Sequence, residues 1–311
     1  MMRALLPAAA LLLAGCSSRG PYAAPDGGPV ATAAGAPLIA GCPLFPPDNA
    51  WNRDVSGDPV DPHSAEYLAQ MNAGSGFLQP DFGSDPSYGL PYLIVDHDQP
   101  RQAMSFLYSS QSEPGPYPFP PDIPLQANAD RHAVVIERDA CLLFETFDTH
   151  RVASGFQCGS GAIFNLRSNA LRPDGFTSAA ASGLPLFPGL ARFEEVKSGE
   201  LHHALAFTAS RIANAYVHPA THGAGNSSDA FAPPMGLRVR LKAGYDLSRF
   251  QGGAKVLLLG LRHYGMFVSD IGSDWAFSGA TDTRWDDRDL EQLKSVPAAA
   301  FEVVQLGPVL H

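Results

Sequence analysis

The chain has few cysteines, modest positive charge and, beyond its first fifteen residues, no apolar run long enough to cross a bilayer. Four cysteines in 311 residues, with no Cys-x-x-Cys pair, give no support to a zinc ribbon or a thioredoxin-like centre. Lys and Arg number 21 against 31 Asp and Glu. The net charge of −10 argues against nucleic acid as a partner, although it leaves room for a local cationic groove. The sequence has no P-loop, no Gly-x-Gly-x-x-Gly and no kinase signature, so no nucleotide and no other cofactor is expected. His-Glu-x-x-His is missing too, and no metal is expected. Ser160, in Cys158-Gly-Ser-Gly161, is not the Gly-x-Ser-x-Gly elbow of a serine hydrolase.

What is present begins at the N-terminus. One cation, Arg3, precedes an apolar run from Ala4 to Gly15, and Cys16 follows. The run is short of the ~20 residues that a spanning helix needs. A charge, a short apolar core and a small-residue ending are the grammar of a signal peptide. Leu13-Ala14-Gly15-Cys16 looks like a bacterial lipobox, which makes residues 1–15 the leader and Cys16 the lipid-bearing (palmitate-type) first residue of the mature chain. An ordinary secretory signal followed by a chance cysteine is the alternative. Ser17, not Asp, follows, which under the lipobox reading points to the outer membrane. Residues 16–41 are rich in Ala, Gly and Pro and read as a lipidated tether with no packed core. Residues 42–311 carry no internal linker and read as one globular domain.

Pro 28 and Gly 30 imply many turns and short strands. His132–Glu137 and Cys141–Asp148 form the clearest hairpin, turning at Arg138-Asp139-Ala140. Further strands are expected at 89–96, 104–108, 161–166, 203–208, 215–218, 237–242, 266–270 and 275–278. Short helices are expected at 63–72, 193–198, 254–264, with Gly265 as the closing glycine, and 286–293. Residues 112–124 hold six prolines and read as a surface loop or polyproline stretch. The fold class is β-rich, as two packed antiparallel sheets of the sandwich or jelly-roll kind with a few short peripheral helices. An α+β layer, with 254–264 lying across a sheet, is the alternative.

After Cys16, three cysteines remain: Cys42, Cys141 and Cys158. Export permits a disulfide, and an odd number leaves at least one thiol over. Cys141 and Cys158 are close in sequence, Cys42 would staple the start of the domain to a central strand, and three reduced thiols remain open. Several segments resemble a broad family of uncharacterised secreted bacterial proteins: FPPDNAWNRDVS (45–56), DRHAVVIERDACLLFE (130–145), GSGAIFNLRSNALRPDGFTSA (159–179), GLPLFPGLARFEEVKSGELHHALAFT (183–208), PPMGLRVRLKAGYD (233–246), YGMFVSDIGSDW (264–275) and RWDDRDL (284–290). The resemblance brings no established activity. It does imply a Cys42–Cys141 disulfide, because cysteines sit at those two positions in the family and not at Cys158.

Several residues could carry chemistry. His202 and His203 open a strand and point to opposite faces, so His203 is either a general base in a cleft or a satisfied core histidine. His218 and His222 have a metal-like spacing, but Pro219 and Gly223 make the segment a loop. Arg238, Arg240 and Lys242 alternate with Val239 and Leu241, which makes a row for anionic groups or the solvated face of a half-buried strand. Glu137, Glu145 and Asp148 flank the hairpin, and Asp270 and Asp274 precede Trp275. Either carboxylate group could serve glycoside chemistry at the right separation. Asn165, Asn169, Arg172 and Asp174 crowd a Gly-flanked loop suited to a hydroxyl-rich ligand or to its own Asx turns.

The functional expectation is a surface-tethered lipoprotein that binds or processes an extracellular polysaccharide or cell-wall glycan. His203 and Asp270 are the catalytic candidates. Arg238, Arg240, Asn169, Arg172 and Trp275 are the substrate-binding candidates. The alternative is a non-enzymatic envelope lipoprotein with a structural or binding role. The expected partners are a membrane, through the lipid anchor, and a glycan, with no nucleic acid or nucleotide.

Overall fold

The computed structural model describes residues 36–311. The leader, Cys16 and most of the tether therefore lie outside the described residues. Residues just before Cys42 belong to the folded body: Leu38–Ile39 pairs antiparallel with Cys42–Pro43, and Ala36 and Ile39 are buried.

The body is strand-rich with several sheets and few short helices, as the sequence implies. A four-stranded sheet runs in the order Ser160–Asn165, Leu142–Phe147, Ala133–Glu137, Leu93–Val95. A six-stranded sheet runs Phe301–Val303, Arg238–Leu241, Met266–Ile271, Leu205–Ala209, Ala276–Phe277, Gln79–Pro80. A three-stranded sheet runs Met104–Phe106, Gly155–Cys158, His150–Val152. The sheets are mixed and not purely antiparallel. Leu205–Ala209 lies parallel to Met266–Ile271, Leu93–Val95 to Ala133–Glu137, and Met104–Phe106 to Gly155–Cys158. Parallel neighbours need crossover connections. The connection from Leu205–Ala209 to Met266–Ile271 contains strand Arg238–Leu241 and the longest helix.

Four α-helices are present among the described residues: α1 (Ser64–Gln70), α2 (Phe193–Ser198), α3 (Gly252–His263) and α4 (Asp287–Leu293). Asp286 caps α4, its side chain accepting the Arg288 N–H, with Asp287 and Asp289 in the first turn where the helix dipole favours them. Gly265 follows α3 at φ +64°. A Cβ there would collide with the Val239 carbonyl oxygen, so the position requires glycine.

Side-chain alternation on the hairpin builds two cores. Val134, Ile136 and Leu143 enter the main core with Phe207, Val239, Val268, Phe277 and the α3 leucines. Ala133, Val135 and Phe144 enter a second core against Phe156 and Cys158. The proline-rich segment is not merely surface: Tyr117, Phe119 and Ile123 are fully buried in that second core. Cys42 and Cys141 form a disulfide with Cα atoms 5.4 Å apart, and Cys158 is free and buried.

Candidate functional site

The arginine row is the first correction. Arg238–Leu241 is an inner strand whose four residues are all buried, so the alternating cations face neither solvent nor ligand. Arg238 donates from Nε to the Tyr264 carbonyl (2.7 Å) and from its two terminal nitrogens to the carbonyls of Ala50 (2.8 Å) and Arg53 (2.9 Å). Its guanidinium stacks over Phe267, and burial pulls it down to about 9. The carbonyl of Tyr264 ends α3, so Arg238 acts as a buried cap. Arg240 pairs with Glu302 (2.8 Å) and donates to the Val55 carbonyl. The segment from Ala50 to Val55 thus covers what the alternation suggested was an open face. Lys242, the exposed member, donates to the Ala299 carbonyl.

Trp275 is also corrected. It is fully buried, donates Nε1–H to the Met71 carbonyl at 2.6 Å and stacks on Phe207. Asn169 clips chain to chain: it donates to Asp48 Oδ1 and accepts from Asn49 Nδ2, both at 2.9 Å. Arg172 is buried and holds Glu113 through both carboxylate oxygens, at 2.8 and 2.6 Å. Asn165 accepts from the Arg167 N–H in an Asx turn, and Asp174 pairs with His218. The loop between Gly161 and Gly175 therefore satisfies itself and its neighbours.

His203 does not reach a cleft. It is 1% exposed and sits in a buried ionic cluster with Arg192 and Glu195. Its Nδ1–H donates to the Ala204 carbonyl (2.7 Å). Nε2 lies 2.8 Å from an Arg192 terminal nitrogen and 3.1 Å from a Glu195 carboxylate oxygen. Burial alone would raise the Glu195 carboxyl, but Arg192 and His203 more than reverse this and hold it down at about 2. The cluster is internal and structural. The hairpin carboxylates do not converge either. Glu137 lies on the face of the second core, paired with Arg101. Glu145 enters the main core, and Asp148 binds His150.

Asp270 is different. It lines a cleft of about 320 Å³ with Tyr108, Gln111, Phe147, Ser160, Thr177, Ser178, Ala179, Ala181, His222 and Ala224. Asp270 Oδ2 accepts the Ala181 N–H at 3.0 Å, and Oδ1 accepts the Ile271 N–H at 2.8 Å. Burial pushes its carboxyl up to about 6 against those two hydrogen bonds, with help from the negative charge of Asp130. The carbonyl of the same residue, Ala181, accepts His222 Nδ1–H at 2.7 Å. This leaves His222 Nε2 with its lone pair. Gln111 Oε1 accepts the Thr177 N–H, so its amide NH₂ remains as a donor. Ser160 donates to the Ser178 carbonyl and retains acceptor capacity.

Six separate segments build this cleft, which is why spacing alone does not reveal it. Asp270 was a candidate from sequence. His222 was visible only as half of a metal-like pair, and that pair diverges, with His218 turned to Asp174 and His222 to Ala181. Gln111, Thr177 and Ser178 carried no signal. Among the described residues no group of three or more His, Cys, Asp or Glu side chains is arranged to hold a metal. Comparison with protein-family models, curated proteins and solved structures finds no match to this chain.

Proposed function

We propose that this chain is a lipid-anchored envelope protein that binds or processes a polysaccharide or cell-wall glycan in the Asp270–His222 cleft. The anchor rests on the Leu13–Cys16 sequence. The observation that carries the cleft is the backbone of Ala181, which fixes a carboxylate on its N–H and an imidazole on its carbonyl. Around them stand hydroxyls, an amide and two aromatic rings, the mixture that suits a hydroxyl-rich ligand. A carboxyl near 6 can give or take a proton close to neutrality, as a general acid or base must.

Among the described residues, Asp270 is the only Asp or Glu lining the cleft. Glycoside hydrolysis by two carboxylates across one sugar therefore has no support here. Proton transfer by Asp270, with His222 Nε2 as acceptor, is the chemistry that remains for processing. The non-enzymatic alternative draws on the same single carboxylate.

The test is a glycan array and a product assay on the processed full-length chain in detergent, with Asp270→Asn and His222→Ala beside it. Capture or turnover of a glycan that falls at least about tenfold in Asp270→Asn is expected. A variant indistinguishable from the parent would remove the cleft from the account. Palmitate labelling that survives Cys16→Ser would remove the anchor.

A further inference from the structure

The cleft's lining says more about its ligand than that it is rich in hydroxyls. Among the described residues, no Lys or Arg lines it. The nearby Arg172 commits four of its five N–H donors elsewhere: Nε to the Thr177 carbonyl (2.9 Å), Nη1 to both Glu113 oxygens, and one Nη2 donor to the Gln111 carbonyl (2.7 Å). An anionic sugar would therefore meet Asp270 with no cation to offset the repulsion. Asp270 itself is held by two backbone N–H groups and no cationic side chain. Beside it, His222 Nε2 offers a lone pair. Phe147 and Tyr108 supply aromatic rings, the latter 48% exposed at the rim. A carboxylate, an imidazole nitrogen and aromatic rings with no Lys or Arg among them are the elements that recognise an ammonium group.

We infer that the cleft takes a protonated primary amine, and that its ligand is a glycan bearing free amino sugars. This inference rests on the glycan reading above. The ammonium would donate to Asp270 and to His222 Nε2 while the ring's hydroxyls meet Gln111 and Ser160. An N-acetylated sugar replaces the cation by a neutral amide, and a uronic acid adds a like charge beside Asp270.

The experiment is calorimetric titration of the processed full-length chain with four probes: a glucosamine trisaccharide, its N-acetylated counterpart, a uronic-acid trisaccharide, and putrescine. Asp270→Asn and Tyr108→Ala are titrated in parallel. Tyr108 is exposed at the rim, so its truncation leaves the fold intact. The expected result is that the free-amine trisaccharide binds at least about tenfold more tightly than the N-acetylated one. That preference should disappear in Asp270→Asn and shrink about threefold in Tyr108→Ala. Equal binding of the three sugars, or preference for the acetylated or acidic one, overturns the amine inference and leaves the glycan reading standing. Putrescine binding without any sugar binding keeps the ammonium site and overturns the glycan reading. Binding of none of the four overturns both.

Discussion

Glu145 Oε1 accepts the backbone N–H of Phe187 at 2.8 Å, and Oε2 accepts that of Leu186 at the same distance. The carboxylate is fully buried, with no cationic side chain in contact. It holds the turn that carries Phe187 into the main core. Burial raises its carboxyl to about 7, from an ordinary 4.5, against the two N–H groups. Between those values the folded chain keeps a proton that the unfolded chain has lost, so stability falls as pH rises from about 4.5 to about 7 and is flat above. The expected loss is about 3 kcal/mol. Asp270 adds a smaller fall of the same sign. Urea unfolding across pH 4–8 should show the slope in the parent and mostly lose it in Glu145→Gln; an unchanged slope would contradict this assignment.

The Arg192–Glu195–His203 cluster behaves in the opposite sense. Glu195 is held below its ordinary value, so its contribution is full above pH about 4.5 and is lost as pH falls towards 2. Glu195→Gln leaves Arg192 buried without its counter-charge and should cost about 3–5 kcal/mol at pH 7. Chemical denaturation measures it. A change below about 1 kcal/mol would mean the cluster is not acting as a buried ion pair.

Arg238→Met tests the correction to the arginine row. Loss of the guanidinium leaves the carbonyls of Ala50, Arg53 and Tyr264 without this donor. Destabilisation by about 3 kcal/mol or more is expected from buried acceptors left unmade. Ligand selectivity should not move in the folded fraction. A glycan preference that changes while the unfolding midpoint stays put would return Arg238 to the binding surface.

Ligand capture should also depend on pH. The ionised form of Asp270 is the partner of an ammonium group, and its carboxyl sits near 6. Affinity is expected to rise as pH climbs from about 5 to about 7 and then level off. His222 faces the same cleft, and Asp130 reaches it through its charge. The step centred near 6 should vanish in Asp270→Asn; if it persists there, another group governs capture.

The sequence made the local elements readable and the surfaces between them unreadable. The hairpin, α3 with its closing glycine and α4 with its acidic first turn all follow from short-range pattern, and each lies within a residue or two of where that pattern places it. Alternation at Arg238–Leu241 correctly gave a strand and two faces. It could not show that residues 50–55 lie over one of them, because that covering comes from almost 190 residues away. His203 was a core-or-cleft choice that turned on Arg192 and Glu195, whose side chains meet it only in the folded chain. Phe119 and Ile123 looked exposed because proline density hides the periodicity by which burial is read. The cleft needed Gln111, Ser160, Ala181, His222 and Asp270 together, and no local rule joins them.

The bridge from Cys42 to Cys141 spans 99 positions and lands at the turn of the central hairpin. Tension on the chain ahead of Cys42, once past the short Leu38–Ile39 strand, is therefore delivered to the middle of the four-stranded sheet. A body held at a surface by its leading end would transmit shear from a bound polymer through one covalent rivet, with the intervening hundred residues carrying none of the load.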